Sequence, residues 1–220
     1  MAETKLHFLH VSKTGGSAVK AALSKAGRTD LRLHSHKVHL ADIPRGEGVI
    51  FFVRDPIARF VSGFYSRQRQ GLPRYDVPWK RRERIAYGRF QTPDALAAAL
   101  SSPDRDEQQA AYAAMGAIMH AKWSYDKWFG SGDAFAERLD DIVFIGLQEE
   151  LDADFERLKR RIGLPYDIRL PTDDVAAHRN PGALDRSLSP VARENLQAWY
   201  AGDVAFYGLC KALRGRILSS

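Results

Sequence analysis

The chain has 220 residues, of which 45% are hydrophobic and 27% charged, a composition that excludes a fibrous or intrinsically disordered protein. Its single cysteine, Cys210, excludes an intrachain disulfide and a thiolate metal cluster. The net charge of +6 and the isoelectric point near 9.5 favour an anionic partner, whether a nucleotide, a nucleic acid, an acidic glycan or an anionic lipid surface.

The first residues show no pattern of a targeting segment. M-A-E-T-K leads directly into a strand-like run, without the basic and long apolar regions of a signal peptide. The sequence also lacks a stretch of about 20 apolar residues that could span a membrane. Together with the single cysteine, these features predict a cytoplasmic protein without a transmembrane segment.

Short apolar runs alternate with helical patterns through the first third of the chain. Residues 5–11, 31–33 and 49–53 have strand character, and the last run is apolar throughout, as in a parallel strand buried on both faces. The glycine pair Gly15-Gly16 opens a helix after the first run. This alternation predicts an α/β fold, a P-loop-like three-layer fold with a central, mostly parallel sheet flanked by helices and a helical insertion.

A helix is expected to begin at Asp55 and Pro56, because aspartate favours the N-cap and proline the first helical position. Apolar residues then recur at helical spacing and predict a buried face. They are Ile57, Phe60, Val61, Phe64 and Tyr65. Arg59, Ser62 and Ser66 lie on the polar side of this helix, where we expect Ser62 to be available to a ligand.

The middle of the chain is polar, basic and then alanine-rich, which predicts the helical insertion around residues 71–132. Its helical candidates are residues 93–100, 106–117 and 122–129. After it we expect a strand over 141–146, a helix over 151–162, a loop over 171–190, a final helix from Ser189-Pro190 and a frayed tail after Leu213. Residues 1–220 are expected to form one domain.

The segment from Leu6 to Ser17, L-H-F-L-H-V-S-K-T-G-G-S, has the form of a phosphate-binding turn. A glycine pair between a strand and a helix lets backbone N–H groups converge on an anion, and the helix N-terminus adds partial positive charge. Lys13 precedes the glycines, and Thr14 and Ser17 add hydroxyl donors. A Walker A loop places its lysine after the glycines, so this order disfavours a magnesium-dependent nucleoside-triphosphate site. The same glycines also suit a plain strand-to-helix turn.

A second motif, R-D-P-I-A-R-F-V-S, follows the run over 49–53. In this order the two motifs resemble the sulfotransferase superfamily that uses 3′-phosphoadenosine 5′-phosphosulfate (PAPS). The resemblance implies that the first loop holds the 5′-phosphosulfate and the second motif the 3′-phosphate, with adenosine 3′,5′-bisphosphate (PAP) as product. By position, the implied cofactor-binding residues are Lys13, Thr14, Gly15, Gly16, Ser17, Arg54 and Ser62. An ion pair of Arg54 with Asp55 or Glu47 is the structural alternative.

Between the two motifs lies His34-Ser35-His36, within L-H-S-H-K-V-H-L. It resembles the H-x-H that supplies the base in glycan sulfotransferases of the uronyl 2-O class, which implies that His36 or His34 is the base and that Lys13 stabilises the leaving bisphosphate. Neutral imidazole titrates near working pH, as a base for an acceptor hydroxyl must. Structural histidines remain an alternative, as does a metal site formed with His39, although no carboxylate or thiolate cluster accompanies these histidines.

The resemblance extends to later segments. V-F-I-G-L-Q-E-E-L is similar to the late strand of the family, and H-R-N-P-G over 178–182 lies where the family carries a nucleotide-contacting loop. This implies a cofactor contact by Arg179, with His178 and Asn180 as weaker candidates. The chain lacks the anchor, stem and paired cysteines of eukaryotic relatives and so resembles a soluble, bacterial-type member. The implied activity is metal-free transfer of a sulfuryl group to a hydroxyl of a carbohydrate or glycan-like acceptor.

Two other functions remain open on the sequence alone. The first is a P-loop-related nucleotide kinase or NTPase, which predicts magnesium-dependent ATP turnover. The second is a non-catalytic polyanion-binding protein built around a basic segment with one aromatic residue, although the sequence shows no specific nucleic-acid-binding motif. That segment contains Trp79, Lys80, Arg81, Arg82 and Arg84.

Overall fold

The computed structural model describes residues 5–173 and 184–219. These residues form two compact units. The sheet unit comprises residues 5–54, 125–173 and 205–219, and the helical unit comprises residues 55–124 and 184–204. A single domain over residues 1–220, with an insertion around 71–132, stays a prediction.

Four parallel strands form the centre of the sheet unit. They are β1 (Leu6–Leu9), β2 (Leu31–Leu33), β3 (Gly48–Val53) and β4 (Ile142–Leu147). Their order in the sheet is β2-β1-β3-β4, and each neighbouring pair is parallel. The α/β fold class and the four strands expected from the apolar runs are therefore confirmed.

Ten α-helices lie within the described residues. In chain order they are α1 (Gly16–Leu23), α2 (Pro56–Gln68), α3 (Arg81–Arg89), α4 (Pro93–Ala98), α5 (Arg105–Ala117), α6 (Asp126–Phe129), α7 (Gly132–Ala136), α8 (Leu151–Ile162), α9 (Pro190–Trp199) and α10 (Ala201–Ser219). In the part of the chain that the structure describes, none of the helices combines the length and apolar character needed to cross a bilayer.

The sheet is covered on both faces, which gives the expected three layers. One face packs against α1 and α8, where Phe8 and Phe52 share a core cluster with Phe155. On the other face the ring of Phe51 lies 4.6 Å from that of Phe129 on α6, measured between centroids. Phe206 of α10 adds a further ring 4.8 Å from Phe129. Burial of both faces explains why β3 carries apolar side chains throughout.

Helix α2 opens the helical unit. Asp55 accepts a hydrogen bond from the N–H of Ala58 at 2.8 Å, and Pro56 is the first helical residue, so the expected start is confirmed. The expectation that Arg59 and Ser66 lie on an exposed polar side is wrong, because each is 2% exposed. Burial of the arginine is possible because it pairs with Asp203.

The C-terminal region differs from the sequence expectation. The single final helix is in fact two helices, α9 and α10, and α10 continues to Ser219 instead of fraying after Leu213. Arg214 explains the added length, because its guanidinium contacts Asp154 at 2.7 Å and Glu150 at 2.5 Å. The helical candidate over 122–129 is also too long, since only α6 is α-helical there.

The buried ion pair generates a stability prediction. Arg59 binds Asp203 at 2.7 Å, and both side chains are almost completely buried. Asp203→Asn removes the buried negative charge that Arg59 binds and is expected to lower the free energy of unfolding by about 3 kcal/mol, measured by urea denaturation. The matched control is Glu137→Gln, which breaks an exposed pair with Arg45 and should change little. Equal effects of the two variants would contradict the prediction.

Candidate active site

The carboxyl ends of the parallel strands bring three predicted segments to one edge of the sheet unit. Phe8 of β1 lies opposite Leu33 of β2, and Leu9 lies opposite Phe51 of β3. The glycine loop, the H-x-H segment and Arg54 therefore leave the sheet in the same direction. Because β2 and β3 flank β1, this edge contains the topological switch point at which open α/β sheets bind ligands.

The described part of the sheet unit does not include two of the predicted cofactor residues. Ser62 lies on α2 of the helical unit and is partly buried. Arg179, with the weaker candidates His178 and Asn180, lies outside the described residues. The roles of all four stay predictions.

Residues 12–17 form a sharp turn, which we call the anion loop. Lys13 and Gly15 have left-handed φ angles of 67° and 79°, and Gly15 is the N-cap of α1. The first N–H that turns back into the helix is that of Ala18, which donates to the carbonyl of Gly15 at 3.0 Å. The N–H groups of Gly16 and Ser17 precede this bond and are placed to bind an anion at the positive end of the helix.

The backbone conformation of Lys13 and the side-chain hydrogen bond of Thr14 set the shape of the loop. Lys13 adopts a conformation that non-glycine residues rarely adopt, and such strain is concentrated at functional sites. Thr14 is buried and its hydroxyl donates to the carbonyl of Val11 at 3.0 Å. The hydroxyl proton of Thr14 thus stabilises the loop, which leaves its backbone N–H as the donor that suits the predicted cofactor contact.

Packing requires glycine at position 16, and the left-handed φ angle favours glycine at position 15. A Cβ at Gly16 would lie 2.3 Å from Cδ2 of His10, and a Cβ at Gly15 would lie 3.0 Å from a methyl carbon of Leu151. The start of α1 therefore rests directly on the imidazole of His10. Any side chain at position 16 must displace that ring.

His36 is held beside the same imidazole. Its Nδ1 lies 3.1 Å from the carbonyl oxygen of His10, and the two ring centroids are 3.8 Å apart. Trp128 on α6 also donates its indole N–H to the carbonyl of His36 at 3.2 Å. Because a carbonyl oxygen can only accept, Nδ1 of His36 carries the proton, and the neutral ring has its lone pair on Nε2.

The surroundings of His36 keep it neutral. Burial lowers the pKa of its imidazole, and the hydrogen bond to the carbonyl of His10 opposes this only in part. The positive charges of Lys13, Lys20 and Lys127 lower the pKa further. The same charges identify this edge as electropositive, with an unprotonated imidazole among lysines.

His34 has different partners. Its Nε2 lies 2.7 Å from Nδ1 of His7, and Nε2 of His7 lies 2.5 Å from Oε2 of Glu47. Burial lowers the pKa of His34, and its neighbours His7 and Arg32 lower it further. Glu47 was one of the two ion-pair partners expected for Arg54 from the sequence, and in the structure it binds His7.

The position of His39 gives no support to a metal site formed with His34 and His36. His39 lies at the start of a short 3₁₀ turn, where its N–H donates to Asp42 at 2.8 Å. Across residues 5–173 and 184–219, no group of three or more His, Cys, Asp or Glu side chains is arranged to hold a metal ion.

Tyr125 fixes the backbone of Arg54 at the end of β3. Its hydroxyl accepts the N–H of Arg54 at 2.8 Å and donates to the carbonyl of Arg54 at 2.5 Å. The side chain of Arg54 is partly exposed. A guanidinium anchored at this edge suits a phosphate group.

Sequence reasoning missed several residues of this edge. They are His7, His10, Lys20, Lys127 and Trp128. A signal for the first two was present, because histidines inside an apolar strand are unusual unless they are hydrogen-bonded. The others come from distant segments whose contacts depend on the fold.

The basic segment of the helical unit uses its aromatic residue internally. The ring of Trp79 stacks on Tyr87 with centroids 5.0 Å apart, and its indole N–H donates to the carbonyl of Arg67 at 2.8 Å. The neighbouring cations are exposed. The segment therefore offers charge to a polyanion, without a free aromatic face for base stacking.

Comparison with known proteins establishes the family. A family model described as "Sulfotransferase family" matches residues 2–209, so the chain belongs to the sulfotransferase family. No match was found among curated proteins or among solved structures. Membership identifies an enzyme of sulfuryl transfer.

The contact between the anion loop and His10 generates a second prediction. Gly16→Ala places a methyl group against the ring and is expected to lower the free energy of unfolding by about 1–3 kcal/mol in urea denaturation. The control is Gly88→Ala on α3, where a Cβ meets no atom within 4 Å and alanine is the better helix former. A Gly16→Ala protein as stable as the control would show that the loop does not rest on His10.

Proposed function

We propose that this enzyme transfers the sulfuryl group of PAPS to a hydroxyl of a carbohydrate or glycan-like acceptor, with His36 as general base. The observation that carries the proposal is the state of His36. Its Nδ1–H is bound to the carbonyl of His10 and its Nε2 has the lone pair, while burial and the charges of Lys13, Lys20 and Lys127 lower its pKa. A neutral imidazole beside an anion site is what sulfuryl transfer to a hydroxyl requires.

The residues present fit an anionic donor. The N–H groups of Gly16 and Ser17 and the ammonium of Lys13 suit the 5′-phosphosulfate, while the resemblance assigns the 3′-phosphate to Arg54 and Ser62. When bound, PAPS supplies an activated sulfuryl group, with PAP as the product. The contact of Arg179 with the cofactor is part of the proposal and rests on the sequence alone.

The protein groups have separate tasks in this mechanism. His36 accepts at Nε2 the proton that the acceptor hydroxyl loses, and the carbonyl of His10 holds the ring in the required tautomer. Lys13 and the loop N–H groups stabilise the negative charge that develops on the leaving oxygen. None of these tasks needs a metal ion.

The finer details of the proposal depend on the sequence. The H-x-H segment supports a glycan-type acceptor through its resemblance to the uronyl 2-O class, and the single cysteine supports a cytoplasmic, bacterial-type enzyme. A nucleotide kinase or NTPase is the competing activity, and it differs by requiring magnesium and ATP.

Donor recognition is tested by calorimetry with PAP. Wild-type protein should bind PAP without magnesium, and Lys13→Ala or Arg54→Ala should weaken binding by about tenfold to a hundredfold, because each removes a charged hydrogen-bond donor. Arg45→Ala, which removes an exposed cation of the same unit, is the control and should bind normally. Magnesium-dependent ATP turnover without PAP binding would replace the proposal with the kinase or NTPase.

The base is tested by transfer of radiolabelled sulfate from PAPS to a panel of saccharides that carry uronic acid, hexosamine or neutral hexose. His36→Ala should lower kcat by about a hundredfold or more and leave the affinity for PAP unchanged. Because the base must be unprotonated and its pKa is lowered, the acid limb of the wild-type kcat profile should lie below the ordinary histidine value of 6.5. Unchanged kcat in the variant would exclude His36 as the base.

A further inference from the structure

A hydrogen-bonded chain of three side chains runs from Glu47, just before β3, through His7 of β1 to His34 of the H-x-H segment, and it has no role in the mechanism above. Glu47 binds Nε2 of His7 at 2.5 Å, and Nδ1 of His7 binds Nε2 of His34 at 2.7 Å. His7 is 1% exposed and lies inside β1, whereas the carboxylate and His34 are partly exposed. A buried imidazole thus connects a carboxylate to one histidine of the H-x-H segment.

The two imidazoles are joined edge to edge. Their planes differ by 10°, and their centroids are 5.0 Å apart. That separation equals the 2.7 Å N···N distance plus one ring radius on each side, so the hydrogen bond between His7 and His34 lies in the plane of both rings. Such a bond is directional and fixes the orientation of the His34 ring.

The carboxylate determines where the protons lie. An ionised Glu47 can only accept, so Nε2 of His7 carries a proton. When Nδ1 of His7 carries none, that atom must accept from Nε2–H of His34. Neutral His34 then has its lone pair on Nδ1. The lowered pKa of His34 favours this neutral form, and within the described residues no hydrogen bond to its Nδ1 is present.

The charged groups around His34 have identifiable positions. Lys20 of α1 donates from Nζ to the carbonyl of His34 at 3.0 Å, and Arg32 lies on β2. Both charges lower the pKa of His34, whereas Asp42 raises it. His34 directly follows β2, whose carboxyl end lies at the sheet edge that also contains the anion loop.

We propose that Glu47 and His7 are positioning residues that act through His34, keeping its Nδ1 as a hydrogen-bond acceptor for the hydroxyl of the sulfate acceptor. The use of Nδ1 by that hydroxyl rests on the proposed function, whereas the control of the tautomer does not. His36 takes the proton, and His34 orients the hydroxyl. No covalent step is added.

The tautomer is tested by two-bond proton–nitrogen NMR of the histidine rings in the full chain. Wild-type His34 should be protonated at Nε2 and unprotonated at Nδ1. In Glu47→Gln the side-chain amide can donate to Nε2 of His7, which moves the proton of His7 to its own Nδ1. That Nδ1–H can then donate to Nε2 of His34, so His34 should no longer be held in a single tautomer. Glu137→Gln, the same substitution at an exposed ion pair of the sheet unit, should leave the spectrum of His34 unchanged.

The role in the reaction is tested with the best saccharide acceptor of the panel. Glu47→Gln should lower kcat/KM for that acceptor by about tenfold, which is the usual effect of removing a residue that orients a functional side chain. The affinity for PAP should equal that of Glu137→Gln. A merely structural role would weaken PAP binding and the stability of the fold together.

Three results would overturn the proposal. They are a wild-type His34 protonated at Nδ1, a tautomer that is unchanged in Glu47→Gln, and acceptor kinetics equal to those of Glu137→Gln. If wild-type protein neither binds PAP nor transfers sulfate, the proposed function fails by itself. The NMR result alone then upholds or overturns the control of His34 by Glu47 and His7.

Discussion

The pairing of β1 with a parallel strand on each side is the constraint on which the site depends. Parallel strands end at a common edge, so the anion loop, the H-x-H segment and Arg54 meet there although they are far apart in sequence. An antiparallel β2 or β3 would send one of these segments to the opposite edge. The apolar character of β3 favours this arrangement, because only a strand covered on both faces buries such a run.

His7 of β1 and His10, which directly follows β1, give the H-x-H segment two distinct chemical environments. His7 connects His34 to a carboxylate, while His10 offers His36 only a backbone carbonyl and a ring to pack against. Burial and neighbouring positive charges lower the pKa of both H-x-H histidines. In the state that we propose for His34, the nitrogen that keeps a lone pair differs between them. Neighbouring groups with different proton positions can take different tasks in acid–base chemistry.

Local sequence signals predicted the framework of the fold well. The strands, the glycine-led start of α1 and the Asp55-Pro56 start of α2 each depend on residues close in sequence. The predictions failed where a distant partner decides the outcome. Arg59 is buried because Asp203 neutralises it, and α10 extends beyond Leu213 because carboxylates near α8 bind Arg214.

Dependence on distant contacts also limited what the sequence could predict about the candidate active site. Lys13 and the H-x-H histidines were recognisable as motif residues, whereas the importance of His7, His10 and Glu47 follows from contacts across strands. No single-sequence pattern encodes which carbonyl or carboxylate a histidine will meet. A polar residue inside an apolar strand is nevertheless a usable warning, because it needs a partner once buried.

The close approach of Gly16 to His10 also limits how this sequence can diverge. With 2.3 Å between a hypothetical methyl carbon and the ring, position 16 can gain a side chain only if position 10 loses bulk or the strand end shifts. The ring of His36, packed on His10, would then lose its support. Positions 10, 16 and 36 should therefore change together during evolution, and an engineered library that randomises one of them should recover compensating substitutions at the other two.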